Sequence, residues 1–199
     1  MMSSFLNNLY DRLYDFKLGI RTDGVHESEA ASRFGDDVEC CPTPYRVLGK
    51  IFRQLSICKD DVFVDFGCGK GRAVCFATLF PFRKIYGVEI SEKWHAAAEF
   101  NVNKLRREGV KVLNINALDF SGDDVTVYYF FNPFGEKTFS GVVKNILSSL
   151  EKNKRAVKLI YFNPLHADLL EETGVFNKTR DLHLDRNGNP VVLLYENLY

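Results

Sequence analysis

The sequence predicts an α/β fold in which a doubly wound, mostly parallel sheet of seven strands carries helices on both faces. Short apolar runs alternate with helix-like stretches, and the first run passes directly into a glycine-rich turn. Two final runs flank an Asn187-Gly188 pair, which is a strong hairpin signal. Because alternating strands and helices form parallel sheets, only this hairpin is expected to be antiparallel. The predicted strands cover residues 62–66, 84–90, 111–115, 125–131, 155–162, 175–184 and 190–197.

Length and charge narrow the class of protein. The 199 residues suit one compact domain, and we expect residues 1–45 to form a helix and loop that cover the site of a main domain at 46–199. Lysine plus arginine equals aspartate plus glutamate at 26 each, so no overall positive charge attracts nucleic acid. No apolar run reaches the length of a membrane span, and no signal peptide pattern is present. We therefore expect a cytoplasmic protein without a membrane partner.

The five cysteines are odd in number and include no C-x-x-C pair. This usage argues against a disulfide framework and against a zinc site. We expect reduced thiols and no bound metal.

The first predicted element is an amphipathic helix at residues 5–16, where Phe5, Leu9 and Leu13 recur every four positions. We expect this apolar face to pack on the domain, although it could instead close the site or contact a partner. Residues 18–38 are polar and weakly patterned, which indicates a loop.

A second helix is predicted to begin near Pro44 and to run through Leu55, with Thr43 as its cap. The two prolines of the segment Pro42-Thr43-Pro44 fix an extended entry into this helix. A capped helix start explains these residues, but the segment could also lie beside a ligand.

The most informative stretch joins the first strand to a helix at residues 72–79. Gly67, Gly69 and Gly71 let the backbone turn sharply and approach a ligand, and the following helix directs free N–H groups at the turn. Cys68 is expected to contribute its backbone rather than its thiol. The G-x-G-x-G spacing differs from the G-x-G-x-x-G of dinucleotide folds, and no G-K-[ST] follows as in a phosphate loop. A tight turn without a ligand is the alternative.

The second strand ends in Glu89, eighteen residues after Gly71. Dinucleotide folds place an acid about twenty residues beyond their glycines, where it binds ribose hydroxyls. A carboxylate at the end of an apolar strand needs a polar partner, so Glu89 is a candidate ribose ligand. Ser91 is expected to cap the helix that follows, which ends before Gly109.

The remaining elements complete the alternation. The strand at 125–131 is the most apolar and should be central. It leads into Asn132-Pro133-Phe134, a loop at the carboxyl end of a parallel strand, where ligands bind. A helix is predicted at 137–150. After the fifth strand, His166 is expected to open a short helix as a cap or surface group, with a role as a base as the alternative.

The stretch from Asp65 through the three glycines resembles motif I of the class I S-adenosylmethionine-dependent methyltransferases, whose sheet is Rossmann-like. The resemblance covers residues 42–197. It implies S-adenosylmethionine as cofactor and S-adenosylhomocysteine as product, with the glycine turn on the methionine portion and Asp65 near its amino group. The cofactor contacts implied by the resemblance are Thr43, Asp65, Gly67, Cys68, Gly69, Gly71, Glu89, Ile90, Asn116, Ala117 and Asn132. In the family an acid usually precedes the alanine, where this chain has Asn116.

Asn132-Pro133-Phe134 resembles motif IV of amino-methylating enzymes, [DN]-P-P-[YF], with one proline instead of two. The resemblance implies that Asn132, Pro133 and Phe134 form the catalytic turn. The acceptor it implies is an amine of a protein lysine or of a small molecule, and the balanced charge disfavours RNA. Two other classes stay open: an NAD-dependent oxidoreductase, and a protein that binds the cofactor or its product without turnover.

Overall fold

The computed structural model describes residues 2–23, 42–184 and 190–197. Two helices, α1 and α2, precede a regular alternation of strands and helices that ends in an antiparallel pair. The elements are α1 (Met2–Leu18), α2 (Tyr45–Gln54), β1 (Val62–Phe66), α3 (Arg72–Ala77), β2 (Lys84–Val88), α4 (Glu92–Leu105), β3 (Val110–Leu113), β4 (Val127–Phe131), α5 (Glu136–Lys152), β5 (Lys158–Phe162), α6 (Asp168–Glu171), β6 (Phe176–Leu184) and β7 (Pro190–Asn197). A short 3₁₀ turn at Ala117–Asp119 follows β3.

The sheet has seven strands in the order β3-β2-β1-β4-β5-β7-β6. Strands β1 to β5 pair in parallel, and β7 lies antiparallel between β5 and β6. This arrangement confirms the predicted fold class and places the most apolar strand, β4, at the centre. The predicted hairpin is confirmed as the β6–β7 pair, while its turn at 187–188 lies outside the described residues. The division of the chain near residue 45 stays a prediction.

Aromatic packing on both faces of the sheet forms the core. All five residues of β1 are buried, as expected for a central parallel strand covered on both sides. On one face, Phe63 packs with Phe52 of α2, their ring centroids 5.6 Å apart. On the other face, Phe66 stacks on Phe130 at 5.2 Å, and the same Phe130 meets Phe139 of α5 edge to face. These rings hold the carboxyl ends of β1 and β4 at a common edge.

Helix α1 packs on the domain, as predicted, but through a different face from the one that the apolar spacing indicated. Tyr14 stacks on Tyr45 of α2 with 4.5 Å between ring centroids. Leu9 and Leu13, in contrast, are exposed, so the prediction that they face the domain is wrong. The inward face combines tyrosine rings with two buried aspartates, which meet a buried arginine as described below.

The start of α2 also differs from the expectation. Its N-cap is Pro44, which has no side chain able to accept a capping hydrogen bond. The predicted role of Thr43 as a cap is therefore wrong. The Thr43 hydroxyl instead forms a hydrogen bond of 2.5 Å with the Tyr129 hydroxyl of β4, so it does not bind the N–H groups at the start of α2. Ser91, in contrast, caps α4 as predicted by accepting a hydrogen bond from the Trp94 N–H.

His166 does not open α6. It lies in the turn before that helix, whose N-cap is Ala167. Across the ranges that the structure describes, no helix combines the length and apolar character required to cross a membrane. In the same ranges, no cluster of three or more histidine, cysteine or acidic side chains is arranged to bind a metal ion. Cys58 and Cys75 are free thiols, and Cys40 and Cys41 lie outside the described residues.

Candidate active site

The glycine turn after β1 requires its glycines. Gly67, Gly69 and Gly71 have φ of +70°, +53° and +80°, in the left-handed region that other residues rarely enter. The N–H groups of Gly67 and Cys68 both donate to the carbonyl oxygen of Val88, at 2.9 and 3.1 Å. The turn is thereby tied to the end of β2, beside the start of the Glu89 segment.

Two close contacts leave no space for side chains on this turn. A Cβ atom placed on Gly67 would lie 2.6 Å from the Cβ of Pro133, so the glycine turn rests directly on the Asn-Pro-Phe turn after β4. A Cβ placed on Gly71 would lie 3.2 Å from that of Ala98 in α4. The structure therefore brings the predicted cofactor turn and the predicted catalytic turn into contact.

Glu89 is buried, and its carboxylate holds the loops of this edge together. One oxygen accepts a hydrogen bond from the Gly69 N–H at 2.8 Å, and the other accepts from the Ser91 N–H at 2.9 Å. Burial raises the pKa of Glu89, and the backbone hydrogen bonds oppose that rise. Each carboxylate oxygen has a further lone pair, so the side chain can still accept hydrogen bonds from a ligand.

An amide that the sequence interpretation missed supports this segment from β3. Asn114 donates from Nδ2 to the carbonyl oxygens of Glu89 and Ile90, at 2.9 and 3.1 Å. The sequence did contain a signal for Asn114, because it is a polar residue directly after an apolar strand, as Glu89 is after the neighbouring strand. Ile90 thus enters the site through its backbone.

Asp65 is the most unusual titratable group at this edge. Its side chain is only 4% exposed, and it accepts no hydrogen bond from any residue in the described ranges. Burial, with a smaller contribution from the charge of Glu89, raises the pKa of Asp65 well above its ordinary value. A buried carboxylate without a donor is unfavourable, so a cationic or N–H-rich ligand would stabilise it.

Asp65 lines a cavity at the carboxyl edge of the sheet. Of the predicted cofactor contacts, Thr43, Asp65, Gly67, Cys68 and Gly69 line this cavity. Among the seven other lining residues, four polar ones were not anticipated from the sequence, which are Thr22, Lys70, Arg72 and Tyr129.

Other predicted residues lie outside the lining of this cavity. Gly71 caps α3, and Asn116 accepts a hydrogen bond at 2.9 Å from the Leu118 N–H, which closes the 3₁₀ turn that begins at Ala117. Asn116 and Ala117 follow β3, which is the neighbour of β2 in the sheet. They therefore lie at the same edge of the sheet as Glu89, which follows β2.

The Asn132 turn has a defined geometry. Asn132 is buried with a φ of +41°, and its Oδ1 accepts a hydrogen bond of 3.4 Å from the Tyr161 hydroxyl of β5. That hydroxyl accepts in turn from the His166 N–H at 3.3 Å. His166 therefore enters this chain of hydrogen bonds through its backbone. The Phe134 ring is half-buried and lies edge to face on Phe66, with 6.3 Å between centroids.

The family comparison matches the central part of this site. Residues 40–125 match the family model described as "Histone methylation protein DOT1". A curated protein-lysine N-methyltransferase from Saccharolobus islandicus is 34% identical over 64 residues, which are 32% of this chain and 40% of that protein. The chain thus spans less than half the length of this curated relative.

Solved structures share the fold over most of the chain. A methyltransferase described as S-adenosylmethionine-dependent, from Aquifex aeolicus, has a TM-score of 0.56 at 16% identity over 75% of this chain and 88% of its own. An RNA methyltransferase from Salinibacter ruber in complex with S-adenosylhomocysteine has a TM-score of 0.55 at 17% identity, covering 78% of this chain and 91% of its own. A precorrin 8w decarboxylase from Methanobacterium thermoautotrophicum has a TM-score of 0.59 at 18% identity, covering 80% of this chain and 93% of its own.

The chain has the class I methyltransferase fold. The resemblance inferred from Asp65 and the glycine turn is confirmed at this level, and the family model covers that turn. In this methyltransferase fold the carboxyl ends of β1, β2 and β4 converge at one edge, which is where the candidate site lies.

A buried ionic network joins α1 to the start of α3, directly after the glycine turn. Arg72, the first residue of α3, lies with its Nη1 2.7 Å from the Asp11 carboxylate and donates from Nε to the Thr22 hydroxyl at 2.7 Å. Asp15 accepts from the Thr22 hydroxyl at 2.7 Å and from the Tyr45 hydroxyl at 2.6 Å. All five side chains are buried. The sequence signal for this network was two acids four residues apart, on one side of an amphipathic helix.

Proposed function

We propose that this protein is an S-adenosylmethionine-dependent methyltransferase that acts on an amine, with a protein lysine as the favoured acceptor. The observation that carries the proposal is Asp65, a buried carboxylate without a hydrogen-bond donor in the described chain, which faces a cavity beside three left-handed glycines. The cofactor carries a primary amino group on its methionine portion, and such a group would satisfy this carboxylate.

The residues present fit the cofactor. Gly67 and Gly69 line the cavity and carry no side chains of their own, which suits the methionine portion. Glu89 keeps free lone pairs beside this turn and would accept hydrogen bonds from the ribose hydroxyls. Thr43 lines the same cavity, and Asn116 and Ala117 lie farther along the edge, where the adenine would extend.

When bound, the cofactor supplies a methyl group attached to a positively charged sulfur. The chain then has to align a neutral acceptor nitrogen and stabilise the charge that develops on it. We assign alignment to Asn132, whose Oδ1 would accept a hydrogen bond from the acceptor nitrogen. The Tyr161 hydroxyl fixes the orientation of this amide, and Pro133 and Phe134 form the adjoining surface.

Support for a protein lysine comes from the comparisons. The family description names histone methylation, and the curated relative is a protein-lysine N-methyltransferase. The equal number of acidic and basic residues gives RNA no general electrostatic advantage. A small-molecule amine would use the same turn and is the second outcome that the experiment below distinguishes.

Calorimetric titration with S-adenosylmethionine, S-adenosylhomocysteine and NAD tests the cofactor. We expect the two sulfur compounds to bind the wild type, and Asp65→Asn to weaken binding by about tenfold or more because the amino group loses a charged partner. Asp60→Asn, at an exposed aspartate of the loop before β1, is the matched control and should bind as the wild type does. Preferential binding of NAD would contradict the proposal.

Transfer of labelled methyl groups into a mixture of cell proteins and small molecules tests the reaction. We expect methyl-lysine on hydrolysis of the protein fraction, and loss of transfer in Asn132→Ala when S-adenosylmethionine is saturating. Label confined to small molecules would favour the second acceptor class. Tight cofactor binding with no transfer to any fraction would identify a protein that binds without turnover.

A further inference from the structure

Helix α1 presents three of its apolar side chains to solvent and two acids to the protein interior. Leu9, Leu13 and Phe16 are 46%, 59% and 85% exposed, and their spacing places them on one side of the helix. Asp11 and Asp15, which would normally face water, are buried. An exposed helix usually has the opposite arrangement, so this apolar side needs an explanation other than packing within the domain.

The surroundings of this apolar side are positively charged. Arg46 of α2 lies over the Tyr10 ring at 4.8 Å. Burial raises the pKa of Tyr14 and the charge of Arg53 opposes that rise, so both cations lie where α2 meets α1. Within 9–18 and 45–54 no acid is exposed, because both aspartates point inward. The exposed cations of these two segments are Arg12, Lys17, Arg46, Lys50 and Arg53. Asp23, which follows α1, lies 3.6 Å from Arg12 and offsets one of them.

We propose that this α1–α2 face, formed by the exposed residues of segments 9–18 and 45–54, binds the surface of an anionic lipid bilayer. Leu9, Leu13 and Phe16 would insert among the headgroups and the first carbons of the acyl chains. The surrounding cations would lie over the phosphate groups. A helix that carries aromatic and leucine side chains beside arginines and lysines is the pattern that binds such interfaces.

Geometry favours a flat partner over a groove. A protein groove that accepts a helix encloses much of its circumference, whereas the inner half of α1 is already buried against Tyr45 and Arg72. A plane, in contrast, touches α1 and α2 together and meets cations from both helices. A second copy of the chain is disfavoured, because an isologous contact would bring Arg12 and Lys17 of the two copies together.

The proposal replaces the expectation from the sequence that the chain has no membrane partner. It concerns peripheral contact only, since none of the described helices has the character of a membrane span. It does not depend on the proposed methyltransferase activity, because none of the three apolar residues lines the cavity at Asp65.

Flotation with vesicles tests this surface directly. The probes are vesicles of phosphatidylcholine alone and of phosphatidylcholine mixed with phosphatidylserine. We expect the wild type to float with the mixed vesicles, to bind the neutral vesicles more weakly, and to lose binding as salt is added. The triple variant Leu9→Gln/Leu13→Gln/Phe16→Gln should bind the mixed vesicles about tenfold more weakly or not at all, because the inserted apolar area is lost.

The matched control is Leu165→Gln, at a leucine that is 65% exposed in the turn before α6. It should float as the wild type does. Thermal melting and S-adenosylhomocysteine binding verify that the triple variant is folded. The proposal is overturned if the wild type does not float with the mixed vesicles, or if the triple variant floats equally well. Dimerisation that the triple variant abolishes, without vesicle binding by the wild type, would instead identify an interface between copies.

Discussion

Replacing Arg72 with methionine removes the guanidinium at the centre of the buried network while keeping most of the aliphatic stem. The Asp11 carboxylate then loses its counter-charge but retains the Tyr45 N–H at 3.0 Å. Breaking a buried ion pair on one side destabilises a protein by about 3–5 kcal/mol, a large part of the roughly 5–15 kcal/mol that holds a domain folded. With a typical dependence on denaturant, the urea midpoint should fall by roughly 2 M.

The loss should depend on pH in a defined direction. Burial raises the pKa of Asp11 in the wild type, and the positive charge of Arg72 opposes that rise. Without Arg72 the pKa of Asp11 rises further, so the folded variant binds a proton more readily than the unfolded chain. Stability of the variant therefore increases as the pH falls through that raised pKa. We expect the difference between variant and wild type to be smaller near pH 5 than at neutral pH.

Urea unfolding followed by circular dichroism measures both effects. The control is a double-mutant cycle with Asp11→Asn, which removes the carboxylate charge without changing the shape. If the pair interacts as described, the double variant should be more stable than the sum of the single losses implies, by about 1–3 kcal/mol. A loss below about 1 kcal/mol for Arg72→Met, or strictly additive losses, would refute the view that this ion pair holds α1 on the domain.

Three further changes test the site. In Gly67→Ala the new Cβ would lie 2.6 Å from Pro133, on a residue whose φ of +70° disfavours any side chain. We expect thermal melting to show a loss of stability of at least about 1–2 kcal/mol, and calorimetry to show weaker S-adenosylhomocysteine binding. Glu89→Gln places an amide NH₂ against a backbone N–H, so calorimetry should show S-adenosylhomocysteine binding about tenfold weaker or worse. An unchanged Kd would argue against Glu89 as the ribose ligand. In the ligand-free wild type, folding raises the pKa of Asp65, so stability falls as the pH rises through that raised value; Asp65→Asn should remove this dependence in melting curves recorded across pH.

The sheet and most of the site could be predicted because their signals are local. Each strand is a contiguous apolar run, and the glycine turn shows its conformation directly in its composition. Glu89 was found by a desolvation argument that needs only the strand around it, and the structure supplies the donors in Gly69 and Ser91. The position of β4 at the centre followed from its apolar character alone.

The errors arise where a partner is distant in the sequence. The partner of Thr43 is Tyr129, which lies 86 residues away, so the assumption of a local cap was wrong. The orientation of α1 depends on Arg72, which lies 61 residues from Asp11. A periodic pattern of leucines cannot reveal that a buried arginine will attract the opposite face of the helix.

Helix α1 contributes to two surfaces at once, since its inner acids hold Thr22 and Arg72 at the cavity wall while its leucines point outward. If a bilayer and a cavity ligand both bind, thermodynamic reciprocity ties their affinities together. Whatever factor vesicles introduce into the Kd of S-adenosylhomocysteine, that ligand must introduce the same factor into the affinity for vesicles. Titration of either ligand in the presence of the other would therefore measure how far a 17-residue helix transmits occupancy from one surface to the other.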